Sequence, residues 1–282
     1  MTLSSAAETV LRRRYLRRDE EGTVVETPDA MVRRVASALA RPEAQFGGDV
    51  AATEARFYDL MRRLEFLPNS PTLMNAGTSL SQLAACFVLP VEDSLVSIFD
   101  TLKHTALIHQ SGGGTGFSFS ALRPRGDVVQ ETGGVAGGPV SFMRIYDAAT
   151  EQIRQGGRRR GANMGVLDVT HPDIEAFITA KREEGALRNF NLSVATTEAF
   201  WDALDEGSTY ALVNPRTGEA VAEADPRRIL DLVAEAAWAT GDPGLLFLDP
   251  INDANPTPAL GRIGATNPCG EVPLLPYEAC VL

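Results

Sequence analysis

Apolar residues recur every three or four positions in the first part of the chain, which is the period of an amphipathic α-helix. The two clearest rows are Met31, Val35 and Leu39, and then Phe57, Leu60, Met61 and Leu64. Thr27 and Pro28 precede the first row and are typical of an N-cap and a first helical residue. Pro68 and Pro71 cannot continue a helix. The pattern therefore predicts a helical N-terminal domain over residues 1–68.

Beyond residue 68, strand-like apolar runs alternate with helical stretches. The predicted strands are 84–89, 116–119, 164–169, 190–194 and 245–248, and the predicted helices are 98–110, 141–153, 174–182 and 226–239. Such alternation implies parallel strands joined by helical crossovers, in a sheet that is covered on its outer side. The pattern therefore predicts an α/β fold for residues 69–282.

Composition places the chain among globular proteins and excludes some functions. Hydrophobic residues make up 44% of its 282 residues and charged residues 22%, which are ordinary values. The net charge of −11 argues against a protein that coats nucleic acid, because that task needs a positive face. The sequence has no apolar run of about 18 residues and no apolar signal-peptide centre. We expect neither a nucleic-acid nor a membrane partner.

The cysteines bear on the compartment and on the chemistry. Three cysteines are too few, and odd in number, for a secreted disulfide framework, so we expect the reducing environment of the cytoplasm. Their role is then redox or catalytic, or they simply pack in the core. His104, His109 and His171 are not spaced with the cysteines as metal ligands are. We expect no metal bound by side chains.

Glycine is concentrated in one stretch, since 13 of the 25 glycines lie between Gly112 and Gly165. Backbone N–H groups of glycine loops bind phosphate without any net positive charge. Arg158, Arg159 and Arg160 follow a glycine pair in this stretch, and guanidinium groups are bidentate phosphate ligands. No P-loop signature is present, and flexible turns are the alternative interpretation. The arginine run favours the phosphate interpretation.

Residues 267–271 combine an amide, a thiol and a carboxylate in Asn267, Cys269 and Glu271. Pro268 and Gly270 favour a loop over a helix, so the thiol and the carboxylate can act on the same bound molecule. A buried, inert cysteine in a turn is the alternative interpretation.

Several segments together resemble a known family. They are FLPNSPTLMNAG (66–77), HQSGGGTGFSFSALRPRGD (109–127), GGVAGGPVSFMRIYD (133–147), GGRRRGANMGVLDVTHPDIEAFI (156–178) and NPCGE (267–271). In this order they resemble the large catalytic chain of ribonucleotide reductase, specifically its adenosylcobalamin-dependent class. The resemblance runs from about Thr27 to Leu282. It implies a ten-stranded α/β barrel with a central finger loop after the helical domain, and residues 69–282 would form its first half.

The resemblance assigns a role to each cysteine. Cys269 would carry the thiyl radical that takes the 3′ hydrogen of the ribose, and Glu271 would accept the 3′-hydroxyl proton. Asn267 would bond the substrate hydroxyls. Cys86 and Cys280 would supply the reducing electrons and end as a disulfide.

The resemblance also implies two nucleotide sites. The substrate set is Ser70, Pro71, Thr72, Ala85, Gly113 and Gly114, and the effector set is Asp93, Ser94, Leu95, Arg123, Arg159 and Arg160. For the effector set an alternative stands, because an Asp-Ser pair is also an ordinary N-cap and single arginines are usually solvated.

The implied cofactor is adenosylcobalamin. The implied partners are a ribonucleotide substrate, a deoxynucleotide effector, a thioredoxin or glutaredoxin reductant and, for the full-length protein, a second copy in a homodimer. Three alternatives stay open: a metal-subunit-dependent (class I) reductase chain, a non-catalytic nucleotide-binding module, and a glycyl-radical enzyme. The choice between diphosphate and triphosphate substrates also stays open.

The family's remaining barrel strands should follow Leu282. An open half-barrel would expose a strand edge and an apolar face, so we expect the isolated 282-residue chain to aggregate or to need the missing half.

Overall fold

A bundle of helices forms the N-terminal part of the computed structural model, which describes residues 2–129, 133–153 and 161–282. Its helices are α1 (Ser5–Arg14), α2 (Pro28–Ala40), α3 (Val50–Arg62) and α4 (Ser70–Asn75), with a 3₁₀ turn at Arg41–Phe46. The Thr27 hydroxyl accepts a hydrogen bond from the Ala30 N–H at 3.2 Å, which confirms the predicted N-cap of α2. The periodic residues Met31, Val35 and Met61 meet in one buried core with Leu73 of α4. The predicted domain boundary near residue 68 stays a prediction.

Arg34 connects α2 to the C-terminal end of α4. Its guanidinium donates to the carbonyl oxygens of Leu73 and Ala76, where the helix leaves carbonyl groups without helical partners. Glu26 pairs with the same guanidinium at 2.8 Å, and the two side chains are only 10% and 7% exposed. This nearly buried pair therefore fixes the position of α4.

The rest of the chain alternates strands and helices. The elements are β1 (Cys86–Val88), α5 (Leu95–Gln110), β2 (Gly114–Ser118), β3 (Val128–Val129), β4 (Gly134–Val135), α6 (Pro139–Gln152), β5 (Asn163–Asp168), α7 (Ile174–Ile178), β6 (Phe190–Thr196), α8 (Glu198–Glu206), β7 (Tyr210–Val213), β8 (Ala220–Ala224), α9 (Pro226–Thr240), β9 (Gly244–Phe247), α10 (Leu248–Asp253), β10 (Ala265–Thr266), β11 (Pro273–Leu274) and β12 (Ala279–Cys280). The predicted alternation is confirmed. The sequence reasoning missed α4, α8, α10, the β3–β4 and β7–β8 pairs and the short strands β10, β11 and β12.

One six-stranded sheet organises this part, in the order β12-β1-β2-β5-β6-β9. In this sheet β1, β2, β5, β6 and β9 run parallel to one another, and β12 pairs with β1 in the antiparallel sense. Helices α5 to α9 contribute to a core on one side of the sheet, its outer face, which contains Phe117, Phe119, Tyr146 and Phe190. This is the arrangement of half an α/β barrel.

The other side of the sheet, its inner face, carries a smaller apolar cluster. Val88, Met164, Val166, Ala195 and Leu246 lie there, with Ala265 of β10 among them. Side chains alternate between the two faces along each strand. The inner face therefore also receives Cys86, Gly114, Gly116 and Asn191. Within the part of the chain that the structure describes, no helix is long and apolar enough to cross a bilayer.

Replacing Arg34 by Met should destabilise the full-length protein by about 1 to 3 kcal/mol, because the nearly buried Glu26 carboxylate would keep the Arg17 N–H but lose the guanidinium. Urea unfolding followed by circular dichroism measures the change. Arg62→Ala is the matched control: Arg62 pairs with Asp59 at 3.9 Å with both side chains about half exposed, so its loss should cost less than about 1 kcal/mol. Equal losses for the two variants would contradict this assignment.

Candidate active site

Two cysteines lie opposite each other across β1 and β12. Cys86 and Cys280 are register partners in this antiparallel pair, and the Ala85 N–H donates to the Cys280 carbonyl at 2.9 Å. Directly opposed residues have Cβ atoms about 4.5 to 5.5 Å apart, close to the separation that a disulfide needs. Both are thiols here, Cys86 buried and Cys280 half-buried. The structure thus brings together the predicted redox pair.

Asn267 joins this pair to the loop that follows it. Its side chain is fully buried, and its Nδ2 donates to Cys86 Sγ at 3.3 Å. Its Oδ1 accepts the Val272 N–H at 3.0 Å, and its carbonyl accepts the Gly270 N–H at 3.1 Å. These bonds fold residues 267–271 into a tight turn, the 267–271 loop, closed by the β10–β11 pair. The amide is therefore fixed at the Cys86 thiol.

The loop lies directly on β2, and glycine makes this contact possible. A Cβ on Gly116 would overlap the carbonyl oxygen of Thr266, and a Cβ on Gly114 would lie 2.7 Å from Pro268 Cγ. Any side chain at either position would push the loop off the sheet. Gly270 has φ +81°, a conformation that other residues rarely adopt. Three glycines thus set the position of the loop.

Cys269 and Glu271 are exposed at the tip of the loop, on the inner side of the sheet. The carbonyl before Cys269 is that of Pro268, and it accepts a hydrogen bond from Asn191 Nδ2 at 2.7 Å. Sequence reasoning missed Asn191. The alternation of β6 was the available signal, because it places Asn191 on the inner face with Ala195.

The predicted substrate residues on α4 are largely engaged in the fold. Ser70 Oγ lies 2.9 Å from the Tyr15 hydroxyl, Thr72 Oγ1 donates to the Leu83 carbonyl, and Pro71 is buried. The Asn69 N–H, just before α4, donates to the carbonyl of Leu282 at 2.9 Å. The start of α4 therefore lies against the segment that follows Cys280.

The other predicted substrate residues lie where β1 and β2 begin. Ala85 is buried, and its carbonyl accepts the Gly114 N–H at 2.8 Å. A Cβ on Gly113 would lie 2.6 Å from the Phe87 ring and 2.7 Å from the Ile108 side chain. Packing alone thus requires glycine at position 113, whatever else its backbone binds.

The predicted effector residues form a separate group beyond the other end of β1. The Asp93 carboxylate accepts from the Arg123 N–H at 3.2 Å and from its Nε at 2.8 Å. Ser94 caps α5 by accepting the Ser97 N–H, and Leu95 is exposed. Arg159 and Arg160 lie outside the described residues. The structure brings Asp93, Ser94, Leu95 and Arg123 together, apart from the cysteines.

A buried polar network lies on the outer face of β2 and β5. His109 Nε2 lies 3.0 Å from Thr115 Oγ1, which donates to Asn163 Oδ1, and Asn163 Nδ2 donates to Thr150. Burial lowers the pKa of His109 from 6.5 to about 4, so the ring is neutral at physiological pH. Its Nδ1 has no hydrogen-bond partner among the described residues. Nor do those residues include a group of three or more His, Cys, Asp or Glu side chains that could hold a metal ion.

Comparison with known families decides the relationship. The model described as "Ribonucleotide reductase, barrel domain" matches residues 84–282, and "Ribonucleotide reductase, all-alpha domain" matches residues 1–81. The chain belongs to the ribonucleotide reductase family.

Curated ribonucleotide reductases match the chain over most or all of its length. A vitamin B12-dependent ribonucleoside-diphosphate reductase of Mycobacterium tuberculosis is 56% identical over 100% of this chain and 41% of its own length. A protein of the same description from Thermoplasma acidophilum is 47% identical over 100% of this chain and 44% of its own length. A ribonucleoside-diphosphate reductase large subunit of Dictyostelium discoideum is 29% identical over 93% of this chain and 32% of its own length. The chain thus spans less than half the length of these ribonucleotide reductases.

Gly116→Ala in a full-length reductase should destabilise the protein by at least about 1 to 3 kcal/mol, because the new Cβ overlaps the Thr266 carbonyl. Thermal unfolding measures the loss. Gly244→Ala on β9 is the matched control, because its Cβ would find only ordinary contacts, the nearest at 3.4 Å. Equal stability of the two variants would show that the loop does not lie on Gly116.

The His109 pKa predicts a pH dependence of stability. Unfolded His109 binds its proton near pH 6.5 and the folded form only near pH 4, so folding is penalised as the pH falls through this window. His109→Gln keeps a donor for Thr115 and removes the titration. As the pH falls below 6.5, the free energy of unfolding of the wild type should therefore decrease more steeply than that of the variant, by up to about 1.4 kcal/mol per pH unit. Unfolding curves at several pH values test this, with His104→Gln as the control; parallel curves for wild type and His109→Gln would contradict it.

Proposed function

We propose that this chain carries the radical cysteine and the redox pair of an enzyme that reduces ribonucleoside diphosphates to 2′-deoxyribonucleotides. One observation carries the proposal: the Asn267 amide at the base of the Cys269 loop donates to Cys86 Sγ, and Cys86 lies opposite Cys280. A packing role alone explains a buried cysteine. It does not explain two thiols on opposed strands beside a loop that presents a third.

The groups present can complete the reaction with its atoms and electrons balanced. Cys269, as a thiyl radical, takes the 3′ hydrogen of the ribose and returns a hydrogen atom to the same carbon at the end. Glu271, two residues away, accepts the 3′-hydroxyl proton as general base. The 2′-hydroxyl takes up the proton of one thiol of the Cys86–Cys280 pair and leaves as water. The 2′ carbon receives the hydrogen of the other thiol, the two electrons come from the pair, which ends as a disulfide, and Glu271 returns its proton to the 3′ oxygen. We also assign Asn267 to the substrate hydroxyls; because its side chain is fully buried, the loop must open for the amide to reach them.

Adenosylcobalamin is the cofactor that we propose. Cys269 is exposed on the loop, so its sulfur can be approached by a large group. The identity to vitamin B12-dependent relatives is 56% and 47%, against 29% to the Dictyostelium large subunit, which favours this class over a metal-subunit-dependent one. When bound, the cofactor supplies the radical that removes the thiol hydrogen of Cys269. The relatives' names likewise favour a diphosphate substrate.

We also propose two nucleotide sites. We assign the substrate ribose and phosphate to Ser70, Pro71, Thr72, Ala85, Gly113 and Gly114, near the cysteine pair. We assign a deoxynucleotide effector to Asp93, Ser94, Leu95 and Arg123, with Arg159 and Arg160 of the glycine-rich stretch. Arg123 donates through Nε to Asp93 and through Nη1 to the Val128 carbonyl, and we assign its other N–H groups to the effector phosphate.

The remaining partners follow from the redox chemistry and the family. A disulfide between Cys86 and Cys280 must be reduced after each turnover, so we propose a thioredoxin or glutaredoxin as reductant and the cytoplasm as the location. We propose that the full-length protein is a homodimer.

Cys269→Ala in the full-length enzyme should abolish turnover of ribonucleoside diphosphates and leave nucleotide binding unchanged, because only the sulfur is removed. Deoxynucleotide formation and equilibrium dialysis with labelled nucleotide measure the two properties. The wild-type protein without adenosylcobalamin should be equally inactive. Turnover of the variant above background would overturn the role of Cys269, and wild-type turnover without the cofactor would overturn the choice of cofactor.

A further inference from the structure

We propose that Asn191 is a positioning residue that fixes the backbone from which Cys269 is presented, an inference that rests on the proposed role of Cys269. Asn191 lies on β6, which is three strands away from β1 in the sheet order. It belongs to neither predicted nucleotide site nor the cysteine set.

The contact acts on the peptide group next to the thiol. Asn191 Nδ2 donates to the Pro268 carbonyl oxygen at 2.7 Å, across 77 positions of the chain. That oxygen belongs to the peptide joining Pro268 to Cys269. Because a peptide group is planar, holding its oxygen also orients the N and Cα atoms of Cys269. A side chain that never touches substrate can thus set the direction of Sγ.

The loop is held from two sides. On one side the Pro268 ring fits against Gly114 of β2. On the other, Met164 of β5 and Asn191 of β6 are register partners on the same face, and Met164 Cε would lie 3.9 Å from a Cβ on Gly270. Asn191 supplies the polar part of this second side. Without it, the contact reduces to packing against a flexible methionine, which specifies orientation poorly.

Asn191 itself is well anchored. The carbonyl of the preceding residue, Phe190, accepts from Lys181 Nζ at 2.6 Å, and the N–H of the following residue, Leu192, donates to Asp242 at 2.9 Å. Lys181 and Asp242 pair with each other at 2.7 Å. The strand is therefore tied on both sides of Asn191, and a donor on a rigid element orients its partner precisely.

The residue type is also informative. Asparagine is disfavoured in strands, where β-branched and aromatic side chains are preferred. On the same face of β6, Ala195 packs among apolar residues of the inner face. Asn191 is exposed whereas Ala195 is buried, so its polarity alone needs no explanation; what distinguishes it is the bond to Pro268.

The test compares Asn191→Leu, Asn191→Asp and Asn191→Gln in the full-length enzyme. Leu and Asp match the size of Asn but lack the donor at neutral pH, whereas Gln keeps an amide on a longer side chain. Ser193→Ala is the matched control, two residues along the same face of β6. Circular dichroism and thermal unfolding establish that each variant is folded; because Asp is isosteric, it keeps the test decisive where Leu disturbs the sheet.

One readout needs no turnover. Hydrogen exchange of the Gly270 and Val272 backbone N–H groups in the protein without cobalamin, followed by mass spectrometry, reports how firmly the loop is held, because both groups donate to Asn267. Loss of one hydrogen bond should raise the exchange rate about fivefold in Asn191→Leu and Asn191→Asp. Asn191→Gln should recover part of this change, and Ser193→Ala should behave like wild type.

The second readout is turnover of ribonucleoside diphosphate. A misplaced Cys269 thiol should lower kcat about ten- to a hundredfold in Asn191→Leu and Asn191→Asp. The loss should be smaller in Asn191→Gln, and KM should be unchanged in all three variants. Wild-type hydrogen exchange and kcat in both Asn191→Leu and Asn191→Asp would overturn the proposal, as would an equal effect of Ser193→Ala. A change in KM alone would make Asn191 a substrate ligand instead. A wild-type enzyme that reduces no ribonucleotide would overturn the proposed function, while hydrogen exchange would still decide the role of Asn191.

Discussion

The close approach of the 267–271 loop to β2 is the constraint on which the site depends. Gly114 and Gly116 leave no room for a Cβ beneath Pro268 and Thr266, so the loop backbone lies in contact with the strand backbone. From that position Asn267 reaches Cys86, and the Pro268 carbonyl reaches Asn191. A loop held even one methyl group farther from the sheet would lose both hydrogen bonds, because their geometry tolerates only tenths of an ångström.

The cysteine pair depends on a different feature, the antiparallel addition of β12 to a parallel sheet. Backbone hydrogen bonds from Ala85 to Cys280 and from Val88 to Glu278 hold the two strands in register. The separation of the two sulfur atoms is therefore set by the ladder, while the side chains remain able to change between thiols and disulfide.

Features that depend on neighbouring residues could be predicted from the sequence, whereas contacts between residues far apart along the chain could not. Local signals worked: the Thr27 cap, the helix period and the strand–helix alternation each depend on neighbouring residues. The pairing of Cys86 with Cys280 is a contact between distant segments, and only the family resemblance indicated it. Asn191 lay within reach of local reasoning, because period-two alternation from Ala195 places it on the inner face. Its hydrogen bond to the Pro268 carbonyl could not be predicted, because no local pattern relates β6 to residue 268. The effector roles of Arg159 and Arg160 stay predictions.

The two faces of β2 show why this strand permits so little change. Toward the loop it presents Gly114 and Gly116, and away from the loop Thr115 bonds both His109 and Asn163 in a buried network. Breaking either bond of Thr115 would leave a buried polar group without its partner, which costs about 1 to 3 kcal/mol. If β2 moved away from the loop, the bonds of Thr115 on the outer face would break. If it moved toward the loop, Gly116 would press against Thr266. The position of Cys269 is thus determined as much by the buried histidine side of β2 as by the glycines that the loop touches.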